Sequence, residues 1–426
     1  MSGEPVIVDI TGGAGGVAAS YVAARALADA FDEAGDRMRE WGATGLRVLK
    51  DPDLLESGLL SPGTCALAEL AVAAAVGGPR GVLAASIGWE ADAVAVRCAI
   101  AYLEAADQSV RAAIATVDRR LAEVAVAALA AAVAVEGEDA FTNHPGLVSH
   151  AVSGLGGPVT ALGLGTLYGG PGRPHVAPYP ADLDGGRTQP ASVRDLLEQL
   201  HEVAELSGHP DSPANGTIAV QTITGPGPDG PVRHVVYLPG TDDFNAPWDQ
   251  DSDVRDLETD LDLMGRQPDA YGAGVLVALH DAGVRPDEPV LLVGHSLGGM
   301  AAVAILAGHG GFHVTDVVTA GSPTAQVPGF PAGSHVLSLE QEGDVVPQLD
   351  GSANPDSVEQ TTVTFDADPD PGVLAHHGYA AYEQGAALVD QSTDPSVAAA
   401  VQSLHDHGFL GTGPDQVASQ VFQITR

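Results

Sequence analysis

The residues best suited to chemistry lie at positions 294–298, where the chain reads Gly-His-Ser-Leu-Gly around Ser296. An apolar run of strand character, 290–293, precedes this pattern, and an Ala-rich helical run, 300–306, follows it. At a tight turn between strand and helix a serine has its Oγ exposed, and the two flanking glycines let strand and helix approach closely. We therefore predict that Ser296 is a nucleophile. The alternative is a structural, glycine-rich turn.

An activated serine needs an acid and a histidine, which follow it in the order Ser, acid, His in chains with this turn. Asp344 comes just after a predicted strand, 335–339. The carboxyl ends of parallel strands meet at one edge of a sheet, so Asp344 is expected on the same rim as Ser296. Glu340 and Glu342 are the competing acids, and a turn or capping role for Asp344 is the alternative.

The general base is expected among histidines that follow Asp344 in the chain. His376 and His377 open a predicted helix, 378–385, after an Asp/Pro-rich loop. Either can reach Ser296, and we predict that the other faces solvent. His405 and His407 come later in the chain and remain alternatives.

The oxyanion of a tetrahedral intermediate needs two backbone N–H donors. One is the residue after the nucleophile, Leu297. The second belongs to a loop after an early strand, and 234–238 is that strand. Thr241 or Asp242 is therefore the second donor, and Gly240 permits a close backbone approach.

Four ordered motifs between residues 216 and 390 resemble class 3 lipases and related α/β-hydrolases. They are Gly-His-Ser-Leu-Gly-Gly at 294–299, Thr-Ala-Gly-Ser-Pro at 319–323, Gly-Asp-Val-Val-Pro at 343–347, and a histidine followed closely by a tyrosine. The resemblance implies Ser296 as nucleophile and Asp344 as acid. His376 with Tyr379 has the short lipase spacing, whereas His377 with Tyr382 has the longer spacing of actinobacterial hydrolases. We favour His377.

The resulting expectation is a serine esterase that works through an acyl-enzyme on a small-molecule ester or a lipid. Ser296 would attack the carbonyl, His377 would take its proton, and Asp344 would orient the imidazole. This chemistry requires no metal and no organic cofactor. The alternative function is a secreted or surface interaction protein with a degenerate hydrolase domain.

Composition divides the chain into three predicted parts. Residues 1–150 form an all-α N-terminal domain, 151–190 a Gly/Pro-rich connector or lid, and 191–426 an α/β-hydrolase domain. The helical part faintly resembles the helical hairpins of type VII secretion. Its two cysteines, Cys65 and Cys98, lie in apolar surroundings and are predicted to be buried free thiols.

The balance of charges limits the possible partners. The chain of 426 residues carries a formal net charge of −38, which argues against nucleic acid and against anionic membrane surfaces. Its Ala-rich composition, with arginine far above lysine, is typical of a GC-rich bacterial genome. Neither a Sec-type signal peptide nor a membrane-spanning apolar run is evident. We expect a cytoplasmic protein, or one exported without a signal peptide.

Two further patterns imitate ligand sites. Asp249, Asp251 and Asp253 alternate as in a calcium loop, but Val254 stands where the sharp-turn glycine is needed, so a solvated acidic segment is expected. The glycine run at 11–16 follows a short strand like a dinucleotide-binding turn. No second strand with a ribose-binding acid follows it, so NAD binding is not expected.

Overall fold

The computed structural model describes residues 4–106, 168, 170–207, 212–228, 230–242, 251–308, 310–367 and 373–426. These residues belong to two compact units. One unit combines residues 4–18 with the described residues from 168 onward, and the other comprises residues 19–106. The predictions that fall on residues 107–167 and on Asp249 lie outside the described residues.

The first unit is a mixed α/β structure built on one nine-stranded sheet with the order β1-β8-β7-β6-β5-β4-β3-β9-β2. Its strands are β1 (Val6–Gly12), β2 (His175–Pro178), β3 (Thr217–Thr224), β4 (Val232–Leu238), β5 (Pro289–His295), β6 (His313–Ala320), β7 (His335–Gln341), β8 (Gln360–Asp366) and β9 (Gln416–Thr425).

The centre of the sheet is parallel and its margins are antiparallel. Strands β4 to β8 pair in parallel, while β1 joins β8, and β3, β9 and β2 join the other side in antiparallel register. The five parallel strands bring their carboxyl ends to one edge, which is where a site is expected in an open sheet of this kind. The strand predicted at 234–238 is confirmed as part of β4, which pairs with β3 in antiparallel register through Val220 and Val236.

Helices cover both faces of this sheet. Alternate strand residues contribute to two separate apolar cores, with Leu291 and Val293 in one and Leu292 in the other. The helices of this unit are α5 (Val193–Glu205), α6 (Leu257–Met264), α7 (Ala270–Asp281), α8 (Leu297–Gly308), α9 (Val373–His377), α10 (Tyr379–Gln391) and α11 (Pro395–Asp406). Buried side chains of α5, α10 and α11 belong to the first core, and those of α7 and α8 to the second.

The second unit is helical, as predicted. It contains most of α1 (Val17–Val48), then α2 (Pro52–Leu60), α3 (Pro62–Gly77) and a helix over 82–106, which we call α4. Among the described residues, one stretch, Pro62–Ala106, has the length and apolar composition of a membrane span. Core helices share both properties, so this is weak evidence for a span.

The structure differs from the sequence-based division at the N terminus and in the connector. Residues 6–12 do not join the helices but form β1, which pairs with β8. Residues 175–178, predicted as connector, form the edge strand β2 beside β9. The short strand expected before the glycine run is therefore present as β1, whereas composition missed β2 because it is short and its pairing partner lies far away in the chain.

The prediction of two buried thiols holds for one cysteine only. Cys65 is buried, while Cys98 is exposed. Apolar neighbours in sequence did not indicate the buried face of α4, which carries Ala93 and Ile100 instead. Both cysteines are free.

Candidate active site

Ser296 lies at the turn between β5 and α8 in a strained backbone conformation. Its φ is +53°, a left-handed value that non-glycine residues seldom adopt and that costs about 1–3 kcal/mol. A Cβ at Gly294 would stand 2.4 Å from the backbone of Gly298, and one at Gly298 would stand 1.8 Å from the carbonyl oxygen of Leu238. Both flanking glycines are therefore required by backbone contact, as the sequence pattern predicts.

Asp344 and His377 are brought together next to this turn. The Asp344 carboxylate is 1% exposed, and its Oδ2 lies 2.7 Å from Nδ1 of His377. The Tyr382 hydroxyl donates to the same oxygen at 2.7 Å, and the backbone N–H of Val346 donates to Oδ1 at 2.9 Å. A buried carboxylate with three partners is a rigid acceptor, so Nδ1 of His377 carries the proton and Nε2 is left to act as a base.

The imidazole of His377 lies against the end of β6 that is hydrogen-bonded to the serine. The backbone N–H of Ser296 donates to the carbonyl of Ala320 at 2.9 Å. A Cβ on the next residue, Gly321, would stand 3.0 Å from Nδ1 and Cε1 of His377. Glycine at this position leaves the imidazole room beside the turn of Ser296.

His295 connects the serine turn to the segment that carries the base. Its Nε2 donates to the backbone carbonyl of His377 at 2.8 Å, and the two rings lie 4.5 Å apart. Burial, together with the neighbouring His377, lowers the pKa of His295 well below its ordinary value. The neutral His295 ring therefore acts as a fixed hydrogen-bond donor rather than as a titrating group.

The loop predicted to supply the second oxyanion donor lies against Ser296. A Cβ at Gly240 would stand 3.1 Å from Cβ of Ser296. The Thr241 hydroxyl donates to Asp260 at 2.8 Å. The other predicted donor, Leu297, is the first residue of α8, where backbone N–H groups have no acceptor within the helix. The N-terminal end of the helix also carries the positive end of the helix dipole, which favours a negatively charged oxyanion.

A buried arginine, Arg255, holds this loop through a hydrogen bond and an ion pair. The guanidinium of Arg255, 1% exposed, donates to the Gly240 carbonyl at 3.1 Å and forms an ion pair with Asp242 at 2.6 Å. The backbone N–H of Asp242, the alternative second donor, is engaged with the carbonyl of Arg255 at 2.7 Å. This engagement favours Thr241 as the second donor.

The competing acids and histidines lie in other surroundings. Glu340 accepts a hydrogen bond from Asn354 at 2.7 Å, and Glu342 is exposed. His376 lies beside Gly343. His405 is exposed at the end of α11, and His407 pairs with Asp316 at 2.8 Å. The structure thus associates His377 with Asp344, as preferred from the sequence.

The two patterns that imitate ligand sites have local hydrogen-bond partners. Carboxylates of Asp251 and Asp253 each accept a backbone N–H two residues later, as in turns. Asp251 is exposed, but Asp253 is 4% exposed, so the expectation of a solvated acidic segment is wrong for Asp253, which is buried beside Arg255. Asp356 accepts the first backbone N–H groups of α1, at the end of the glycine run. Within the described ranges no group of three or more potential metal ligands is found.

No contact or role was predicted from the sequence for three residues of this site, although the two tyrosines belong to the histidine–tyrosine motif. Tyr382 bonds to Asp344, the hydroxyl of Tyr379 accepts the backbone N–H of Gly240 at 3.2 Å, and Arg255 supports the same loop. The available signal was the spacing of the two tyrosines, three residues apart on one helix directly after the paired histidines. No comparable local signal exists for Arg255.

Comparisons with known proteins return no relative. No protein-family model matches this chain, and neither a curated protein nor a solved structure matches it.

Proposed function

We propose that this protein is a serine hydrolase of α/β-hydrolase type that cleaves carboxylic esters. Ser296 attacks the ester carbonyl, and Nε2 of His377 takes its proton. Asp344 holds the imidazole through Nδ1 and stabilises the imidazolium. The N–H groups of Leu297 and Thr241 receive the oxyanion, and water then releases the acid from the acyl-enzyme.

The observation that carries this proposal is the conjunction of two independent features. One is a serine held at a φ of +53° between two glycines that tolerate no Cβ. The other is a buried Asp344–His377 pair packed against the strand end that is hydrogen-bonded to this serine. Strain of this kind is retained where surrounding structure requires it, and such positions concentrate at functional sites.

An apolar cavity of about 290 Å³ supports an acyl ester as substrate. Three elements that carry or follow site residues also line the cavity. They are α8, which begins just after Ser296, α6, whose Asp260 accepts a hydrogen bond from Thr241, and the segment from Pro323, which follows Gly321. Met300, one helical turn from Ser296, lines the cavity. Its volume is just below the roughly 300–1,000 Å³ of small-molecule sites, which favours short to medium acyl chains.

Covalent labelling tests the proposed function directly. A fluorophosphonate should add one phosphonyl group to the intact protein, and peptide mass spectrometry should locate it on Ser296, because only an activated serine reacts. Ser296→Ala is the matched control and should not be labelled. Absence of labelling in the folded wild-type protein, together with no hydrolysis of p-nitrophenyl acetate, butyrate or octanoate, would refute the proposal.

A second candidate, an interaction module, is favoured by the surface of the helical unit. Large apolar side chains there are strongly exposed, including Leu59 at 87% and Leu60 at 90%. Exposed apolar surface of this kind is typical of binding faces. Under this alternative, Leu59→Glu with Leu60→Glu abolishes co-purification of a partner, whereas Ser296→Ala does not affect it.

A further inference from the structure

Two tyrosines stand on the first turn of α10, immediately after the predicted base. Tyr379 and Tyr382 are three residues apart, so their side chains project from the same side of the helix. His377 precedes them by two and five positions. One short segment of chain therefore carries the imidazole and both phenols.

Tyr379 contacts the oxyanion loop and the residue before the serine. Its hydroxyl accepts the backbone N–H of Gly240 at 3.2 Å. Its ring packs on that of His295 with centroids 4.2 Å apart and stacks with His201 at 4.8 Å. The phenol is thus held by aromatic neighbours on α5 and β5, and its oxygen sets where the Gly240 peptide lies.

Tyr382 contacts the acid. It is fully buried, with an exposed fraction of 0%, and its hydroxyl donates to Oδ2 of Asp344 at 2.7 Å. The same hydroxyl accepts the backbone N–H of Gln341 at 3.3 Å. Because Oδ2 is also the oxygen that faces Nδ1 of His377, the phenol and the imidazole share one acceptor.

We propose that Tyr379 and Tyr382 are positioning residues for the hydrolase reaction: Tyr379 aligns the oxyanion loop through Gly240, and Tyr382 tunes the acid through Asp344. This inference rests on the proposed function. The chemistry separates the two roles. A misaligned loop loses transition-state stabilisation and leaves substrate binding intact, whereas an acid with one donor fewer pairs more strongly with His377.

Kinetics of the two phenylalanine variants distinguish these roles. Tyr379→Phe should lower kcat by about ten- to a hundredfold, leave KM near its original value, and weaken a trifluoromethyl ketone inhibitor by a similar factor. The pH profile should not move. Tyr382→Phe should instead shift the acid limb of kcat/KM to higher pH by about half a unit to one unit, because the imidazolium gains stabilisation.

Tyr237→Phe is the matched control for loss of a buried phenol. The Tyr237 hydroxyl, on β4, donates to Gln199 of α5 at 2.6 Å and to Gln221 of β3 at 3.2 Å. This variant should keep kcat, KM and the pH profile of the wild-type protein. If Tyr382→Phe does not fold, 2,3-difluorotyrosine at position 382 provides a stronger donor and should move the acid limb to lower pH.

Two measurements do not depend on activity. Hydrogen exchange of the peptide spanning 238–242 should accelerate in Tyr379→Phe and not in Tyr382→Phe. The ring titration of His377, followed by NMR in histidine-labelled protein and assigned with His377→Gln, should move to higher pH in Tyr382→Phe only.

The outcomes separate the two proposals. An unlabelled, inactive wild-type protein refutes the hydrolase function, whereas exchange and titration still report whether the phenols hold their partners. An active wild-type protein whose Tyr379→Phe and Tyr382→Phe variants behave like Tyr237→Phe in kinetics, exchange and titration overturns the positioning roles.

Discussion

Ser296 is 9% exposed and keeps its place on the tight turn at a cost in backbone strain, so the type of substitution at this residue matters. Glycine adopts a φ of +53° without the steric penalty that other residues carry. Serine at this position is therefore less favourable for folding than glycine would be. Such a stability cost at a single residue is expected where the side chain has a functional role.

We expect Ser296→Ala and Ser296→Gly to be equally inactive but unequal in stability. Each should lose about three to six orders of magnitude in kcat, because the covalent route is removed. Ser296→Gly should unfold with a free energy about 1 kcal/mol higher than Ser296→Ala, since only glycine relieves the strain. Ester turnover and denaturant unfolding measure both. Turnover retained by either variant would contradict the nucleophile assignment.

The neighbouring histidines offer a second residue-scale prediction. His377→Ala should abolish turnover and fluorophosphonate labelling, since its Nδ1 is the ring nitrogen bonded to Asp344 at 2.7 Å. His376→Ala, the matched control, should keep substantial activity. The reverse result would assign the base to His376, and activity in both variants would direct attention to His405 or His407.

At the scale of elements, α8 has two roles, one at its first turn and one along its length. Its first turn follows Ser296, and Met300, Val303, Ala304 and Ala307 line the apolar cavity. Their spacing of three and four residues makes one stripe along the helix. The helix that begins just after Ser296 therefore also forms one wall of the apolar cavity.

Filling this cavity should change chain-length preference. Ala304→Phe places a larger side chain at an exposed position of the cavity wall, so we expect kcat/KM for a p-nitrophenyl octanoate to fall about tenfold or more relative to the acetate. Ala398→Phe, at an exposed position of α11, is the control and should leave the ratio unchanged. An unaltered ratio in Ala304→Phe would show that the acyl chain lies elsewhere.

The whole molecule combines a large negative charge with several carboxyl groups that are poorly solvated. The net charge is −38. Burial raises the pKa of Asp253 and Asp350 to about 6. Partial burial likewise raises the pKa of Glu340 to about 7, with the charges of Asp350 and Asp344 adding to the effect. Folding therefore favours the protonated form of these carboxyl groups relative to the unfolded chain.

We therefore expect the protein to be less stable at pH 8 than at pH 5.5. A carboxyl whose pKa is raised by folding contributes stability that is complete below its unfolded pKa, near 4, and is lost as the pH rises through 6 to 7. Thermal unfolding between pH 5 and 8 tests this. Glu340→Gln should flatten the dependence and raise Tm at pH 8, whereas Asp287→Asn, at an exposed position, should not. A Tm that increases towards pH 8 would contradict the expectation.

Several parts of this architecture could be predicted from local sequence, for local reasons. The glycines around Ser296 restrict the backbone within a few residues, so the strand, turn and helix were recognisable. The strands at 290–293 and 335–339 were recognisable from apolar runs, and β5 and β7 confirm them. Residues whose effect is on their immediate neighbours in the chain produce a pattern that can be recognised in the sequence.

Only the tertiary structure decided contacts between distant parts of the chain. Adjacent residues on a helix point about 100° apart, so the choice between His376 and His377 depended on how α9 packs beside Asp344. Likewise, the pairing of β1 with β8 and the contact of Tyr379 with Gly240 join segments that share no local signal. Backbone sterics act over a few residues, whereas strand pairing and side-chain packing depend on the arrangement of the whole chain.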